Sequence, residues 1–294
     1  MKKISPHLWF DTEAKEAAAF YTSLFDDSKI LTTRTLCHTP SGDADIVSFE
    51  LAGQPFMAIS AGPLFKFNPS VSFLVACESK DEVDSLWDRL IEGGSALMPI
   101  DSYPFSARFG WLQDRFGLSW QIMLADGSEI TQKIVPTLLF VGDVAGKAEE
   151  AITFYASVFG RTEIGSIMRY GAGEEPETEG TVKHASFEIE GFHLAAMDSE
   201  REHAFAFNEA ISFVVSCDSQ AEIDRYSDLL SAVPEAEQCG WLKDAYGLSW
   251  QIVPRAMEEM MANADEATLA RVVEAFLPMK RFDLAKLEDA FAGR

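Results

Sequence analysis

The feature that most constrains this chain is that it is written twice. Residues 110–122 read Gly-Trp-Leu-Gln-Asp-Arg-Phe-Gly-Leu-Ser-Trp-Gln-Ile, and residues 240–252 repeat them with ten of thirteen positions identical. Upstream, Phe20-Tyr21 and Phe25 return as Phe154-Tyr155 and Phe159, and Ser48-Phe49 returns as Ser186-Phe187. Phe67-Asn68 with Ser72-Phe73 returns as Phe207-Asn208 with Ser212-Phe213, and the order is kept throughout. A repeat of this length means that one fold is built twice. The offset is 130 at Pro6 and Pro136, 140 at Phe67 and Phe207, and 130 again at Trp111 and Trp241, so insertions separate the shared blocks. Two of them, residues 94–109 and 170–180, are expected at the surface. With 294 residues in all, the repeat divides the chain into domains at 1–128 and 129–254 and a tail at 255–294.

Each copy reads as an α+β pattern. A short apolar strand ends at Phe10, and Asp11 or Thr12 is placed to cap a helix whose Ala17, Phe20, Tyr21 and Leu24 form one stripe. Residues 46–51 and 56–59 are β-rich and meet at Gly53 as a hairpin. A second helix from Lys80 carries Val83, Leu86, Trp87 and Leu90 and stops at Gly93-Gly94. Each copy therefore holds two βαβββ halves, at 4–60 and 71–124 in the first. Beyond Pro254, Met257, Met260, Met261, Leu269, Val272, Val273, Phe276 and Leu277 keep helical spacing, and Leu284, Leu287 and Phe291 resume it after Pro278. Such a stripe is a core or subunit contact, which leaves a homodimer open.

Charge narrows the partners. Lys and Arg number 24 against 47 Asp and Glu, a net charge of −23. Nucleic-acid affinity is built from cationic contacts, so neither nucleic acid nor an anionic membrane is an expected partner. No apolar run reaches the roughly 20 residues of a membrane span, and Met-Lys-Lys leads into no signal-peptide core, so the cytoplasm is expected. The cysteines Cys37, Cys77, Cys217 and Cys239 form no Cys-x-x-Cys pair and read as free thiols.

Pro6-His7-Leu8-Trp9-Phe10-Asp11, Phe20-Tyr21 with Leu24-Phe25, Gly62-Pro63, Phe67-Asn68 with Ser72-Phe73, and the Gly110-Trp111-Leu112 to Trp120-Gln121-Ile122 block together resemble a known family. It is the PhnB-like branch of the vicinal oxygen chelate superfamily, which includes glyoxalase I, bleomycin-binding proteins, fosfomycin-resistance enzymes and extradiol dioxygenases. The branch is also labelled a 3-demethylubiquinone-9 3-methyltransferase domain. Methyltransferases of the common class hold their cofactor on a Gly-rich loop after the first strand, and no such loop is read at the start of either copy. The resemblance covers residues 4–254 and implies two tandem domains in which paired βαβββ units curve into a cup, with the two copies pairing within the chain as a pseudo-dimer.

In metal-binding members the ligands come from the first and last strands of each unit. Carried over, those positions fall near Ser5 or His7, near Ala58, at Ser72 and near Gln121 or Met123. In the second copy they fall near Val135 or Thr137, near Ala196, at Ser212 and near Gln251 or Val253. Only His7 is a good ligand, so the expected function is binding of a small apolar or aromatic metabolite without a cofactor. The alternative is a divalent-metal lyase or dioxygenase using His7 or His184 with Gln121 or Gln251.

Ten residues are candidates for such a site. His7 and His184 are ligand-facing histidines, or else strand residues satisfied locally. Trp111, Trp120, Trp241 and Trp250 are an aromatic wall or core rings, with Gln121 and Gln251 as neutral hydrogen-bond groups. Asn68 and Asn208 orient a ligand or hold the bend before Ser72 and Ser212. His193 and His203 are read as facing loops, with His193 also a candidate beside the second cup, Asp114 and Asp244 as fixing turns, and Glu174-Glu175 and Glu177-Thr178-Glu179 as solvated loop charge. Arg108 and Arg115 are a candidate cationic pocket.

Overall fold

A computed structural model of the chain describes residues 2–39, 42–125, 127 and 130–294. The first half-unit is β1 (Ile4–Phe10), α1 (Ala14–Thr22), β2 (Lys29–Thr39), β3 (Gly42–Leu51) and β4 (Gln54–Ser60). The second is β5 (Val71–Cys77), α2 (Lys80–Leu90), β6 (Ser95–Tyr103), β7 (Ser106–Gln113) and β8 (Ser119–Leu124). The third is β9 (Ile134–Phe140), α3 (Ala148–Val158), β10 (Thr162–Arg169), β11 (Val182–Ile189) and β12 (Phe192–Asp198). The fourth is β13 (Ile211–Cys217), α4 (Gln220–Leu230), β14 (Trp241–Lys243) and β15 (Ser249–Pro254), one strand short of the pattern. Three helices follow: α5 (Arg255–Asn263), α6 (Glu266–Phe276) and α7 (Leu284–Ala292). The α+β reading with a helical tail holds.

The halves are exchanged between copies. One sheet runs β14-β15-β13-β1-β4-β3-β2 and the other β10-β11-β12-β9-β5-β8-β7-β6. Their central seams are antiparallel: His7 of β1 faces Ser212 of β13, and Ser72 of β5 faces Thr137 of β9. Each sheet thus joins the first half of one copy to the second half of the other, the internal pseudo-dimer. Unit 1 comprises Met1–Thr22, Ser28–Lys66 and Asn208–Arg294, and unit 2 comprises Ser23–Asp27 and Phe67–Phe207.

Period-two alternation sorts each strand into two faces. In unit 1, Leu8, Phe49, Phe56, Phe213 and Trp250 are all at 2% exposure or less, on the side where α1 packs on β3 and β4 and α4 on β15. In unit 2, Phe73, Trp120, Tyr155 and Phe187 play the same part. The repeated Gly-Trp-Leu block builds the same turn twice. Asp114 Oδ1 accepts the Phe116 and Leu118 N–H groups, and its Oδ2 accepts the Trp120 indole at 2.9 Å. Asp244 does the same for Tyr246, Leu248 and Trp250. Gly117 and Gly247 sit at φ 84° and 86° in those turns, a conformation that a Cβ disfavours.

The first-helix caps come from across the sheet. Ala14 N–H donates to Ser60 Oγ at 3.0 Å, not to Asp11 or Thr12. The matching α3 N–H, Ala148, donates to Asp198 Oδ1 at 3.0 Å. The β9–α3 connection does carry two glycines at positive φ, Gly142 and Gly146. Asp198 also accepts from Gly146 and Val182, so a carboxylate of the chain already fills this helix N-terminus.

The region 94–109 is a strand pair whose outer member, β6, is largely exposed. The loop 170–180 is exposed except at Tyr170 and Glu174, which are half-buried, and Glu177, which is 6% exposed, ion-paired to Arg201 at 3.2 Å and hydrogen-bonded by Ser199 Oγ and Glu200 N–H. Glu177 is therefore a buried anchor rather than solvated charge. The tail packs onto unit 1 through Met257, Met260, Val272, Val273, Phe276, Phe282 and Leu287, with Leu36 of β2 in the same cluster. Ile46 of β3 and Val253 of β15 pack against it too. These residues stand at opposite arms of one sheet, so the sheet curls until both arms reach the tail. Among the described residues no helix is long and apolar enough to cross a membrane.

Candidate functional site

On the face of each sheet opposite α1 and α4 in unit 1, and opposite α2 and α3 in unit 2, the central strands carry a short polar row. In unit 1 it runs His7, Ser212 and Ser249 on adjacent strands, and Gln251 Nε2 donates to Ser212 Oγ at 2.9 Å. In unit 2 it runs Thr137, Ser72 and Ser119, and Gln121 Nε2 donates to Ser72 Oγ at 2.7 Å. His7 and Thr137 are equivalent positions of the repeat. Both are buried, at 4% and 1% exposure, and both His7 Nδ1 and Thr137 Oγ1 have no hydrogen-bond partner among the described residues. An unpaired buried polar group costs roughly 1–3 kcal/mol, so two at the same repeat position mark these floors. Burial holds the His7 imidazole down at about 3, so it is neutral at physiological pH.

Around the unit 2 floor the walls are apolar and only half-buried: Leu74, Met123, Val135 and Met197. His184 of β11 lies on this face opposite Met168 of β10, and burial lowers its pKa. A cavity of about 670 Å³ opens at the outer end of the face, lined among others by Ala76, Tyr103, Phe105, Met123, Ile130 and Thr131. Trp111 borders the floor and donates its indole N–H to Ser119 Oγ at 2.8 Å. In unit 1 the repeat partner Trp241 instead stands edge-on to His7, with ring centroids 5.4 Å apart, and to Trp9 at 6.0 Å. Ser249 Oγ, deprived of that indole, is buried without a partner.

The other candidates sort plainly. Trp120 and Trp250 are corrected from wall to core: their rings pack on Phe73 and Phe213 on the helix-covered side, with the indole N–H spent on Asp114 and Asp244. Asn68 and Asn208 serve the bend. Their Oδ1 atoms accept the Ser70 and Ala210 N–H groups, and their amides donate to the Ala206 and Lys66 carbonyls. His193 stands on β12, 3.3 Å from Glu188 and 3.4 Å from Thr131 of the segment before β9. Arg108 is paired with Asp84 at 2.7 Å, and Arg115 lies over the Phe116 ring, so no cationic pocket forms from them. Sequence reasoning passed over Thr137 as a polar candidate in its own right and over Met57, which faces His7 across β1 and β4. The signal for Thr137 was its alignment with His7.

A divalent cation needs several hard, preferably anionic donors. The floors offer one imidazole, four serines, a threonine and two amides, and among the described residues no three His, Cys, Asp or Glu side chains converge. This donor set does not fit such an ion.

Two mixed sheets of exchanged βαβββ halves, each with a Ser–Gln pair on the face opposite its half-unit helices, define a tandem vicinal oxygen chelate fold. The family model described as 3-demethylubiquinone-9 3-methyltransferase matches residues 2–123 and again 132–253. The chain belongs to that PhnB-like family and carries its domain twice. It is 41% identical to the PhnB protein of Bacillus cereus, covering 42% of this chain and 100% of that one, with a TM-score of 0.40. A glyoxalase I mutant from Zea mays is 9% identical over 88% of this chain and 95% of its own, with a TM-score of 0.55, a likeness of fold. A glyoxylase/bleomycin resistance protein/dioxygenase domain from Frankia is 16% identical over 42% of this chain and 91% of its own, with a TM-score of 0.31. No curated protein matches the chain.

Proposed function

We propose that the protein binds a small uncharged molecule, apolar or aromatic with one hydrogen-bonding group, on the uncovered face of unit 2 and without a metal. The observation that carries this reading is Thr137. The residue is 1% exposed and its hydroxyl has no partner among the described residues, beside the Gln121 side chain, which donates to Ser72 Oγ. Apolar walls with a few placed polar groups are how small-molecule sites obtain orientation without charge. Neutral His184 and the net charge of −23 both favour an uncharged guest over an anion.

The test is a titration of neutral aromatic and aliphatic alcohols, phenols and ketones, read by quenching of tryptophan fluorescence, since Trp111 borders the floor. Thr137→Val keeps the shape and removes the hydroxyl. A ligand that uses it should bind roughly tenfold more weakly, the equivalent of about 1.4 kcal/mol. Unchanged affinity in Thr137→Val and Gln121→Leu alike would overturn this assignment of the floor.

A further inference from the structure

We infer that the equivalent floor of unit 1 is a second small-molecule site, held shut by the C-terminal tail. The inference rests on the reading of unit 2 given above and extends it to the face the tail covers. Three observations carry it. The first is retained machinery: Gln251 and Ser212 repeat the Gln121–Ser72 pair at 2.9 Å. The second is that the floor holds two buried polar atoms without partners, His7 Nδ1 and Ser249 Oγ. These lie at opposite ends of one polar row, and each would gain a partner from a guest carrying a hydroxyl or carbonyl group. A neutral imidazole can donate to or accept from such a group, so the ligand class is again an uncharged, hydrogen-bonding apolar molecule. The third is that the cover is the chain's own. Val214 and Ser216 are buried at 1% and 3%, whereas Leu74 and Ala76, their repeat partners in unit 2, are half-buried.

The tail is fastened at identifiable points. Its apolar stripe spans Leu36, Ile46 and Val253, and Met residues predominate in α5, the helix that leaves the sheet, where flexible side chains pack without fixing one geometry. Beyond α6, the Gln220 side chain clamps the chain by donating to the Phe282 carbonyl at 3.0 Å and accepting the Leu284 N–H at 2.8 Å. Phe282 itself seats over Gly240, where a Cβ would lie 2.5 Å from its ring. Neither Gln220 nor Phe282 belongs to the polar row, so loosening the tail there keeps the His7, Ser249 and Gln251 side chains in the chain.

The experiment counts sites in the full chain with N-phenyl-1-naphthylamine, a neutral fluorescent aromatic amine. The wild type is expected to take one per chain, and Gln220→Ala or Phe282→Ala, two. His7→Phe or Ser249→Ala added to either should return the count to one, while Thr137→Val should weaken only the site already present in the wild type. Amide exchange of α6 and α7 reports whether the tail has loosened. A loosened tail with no added site overturns the inference, and so does a tail that neither variant loosens, because a cover that cannot be freed is part of the fold. A wild type that takes none, with one site gained on loosening, would sink the unit 2 reading and leave this one standing.

Discussion

In unit 2 the ring of Trp87 lies over Gly110, where a Cβ would be 2.4 Å from the indole. In unit 1 the repeat partner of Gly110 is Gly240, and the residue of α4 that matches Trp87 is Ser227. The space is filled instead by Phe282 from the tail. The backbone follows the side chain. β6 pairs with β7 in unit 2, whereas in unit 1 the residues before β14 donate to the tail, Cys239 N–H to the Met279 carbonyl at 2.7 Å and Gly240 N–H to the Lys280 carbonyl at 2.8 Å. An edge strand and an aromatic plug present in one half-unit are thus supplied in the other from about forty residues downstream, as an edge needs a hydrogen-bonding partner or a cover. Duplication preserved the requirement and changed the source.

The largest effect should come from exchanging the plugs. Phe282→Ala is expected to cost about 3–5 kcal/mol, as for other buried aromatic truncations, and to act on unit 1. Ser227→Trp in the same chain should recover part of that loss if the two rings fill equivalent space. Urea denaturation measures both, and no recovery would break the equivalence of the two plugs.

The floors differ in titration. His7 is held near 3 in the folded chain by burial and reverts to about 6.5 when unfolded. A lowered pKa in the native state means that the unfolded chain binds more protons between those values. Stability should therefore be lost as pH falls from about 6.5 toward 3, at roughly 1.4 kcal/mol per unit of pH. His7→Asn should reduce that slope above the carboxylate range and leave the part due to His184, whose pKa burial also lowers, whereas Thr137 contributes none because it does not titrate. A wild-type profile that stays flat from pH 7 to 5 would contradict a buried neutral His7.

A smaller effect is expected at the unit 2 floor. Thr137→Val removes an unpaired buried hydroxyl and should raise ligand-free stability by about 1 kcal/mol, read as a higher Tm, while weakening ligand binding. Destabilisation by that amount would show that the hydroxyl is satisfied after all. The smallest expected effect is that of divalent metals. Manganese, nickel, zinc or iron should leave the Tm unchanged, since neither floor groups the donors such an ion needs; an upward shift abolished by His7→Asn would reverse that assignment.

Much of this was legible in the chain. Thirteen residues repeated at an offset of 130, helical stripes such as Val83, Leu86, Trp87 and Leu90, and the glycines of the two Asp-anchored turns specify four half-units through local geometry. The site was half legible. Gln121, Gln251 and His7 stand out as candidates because their residue types advertise polar chemistry on strands, whereas Thr137 is hidden because threonine is also a common strand former. Trp120 and Trp250 misled because a tryptophan in a repeated motif reads equally as wall or core until the partner of its indole N–H is known.

By itself, the order of residues determined the elements and the duplication, because these depend on periodicity and turn chemistry. Only the tertiary structure decided which half pairs with which, since β1 can meet β5 or β13 with the same pattern of alternating faces. It also decided that the tail covers one floor and leaves the other uncovered. That choice turns on whether an edge is closed by its own strand or by a segment far along the chain, and it is made by non-local packing that no local pattern encodes.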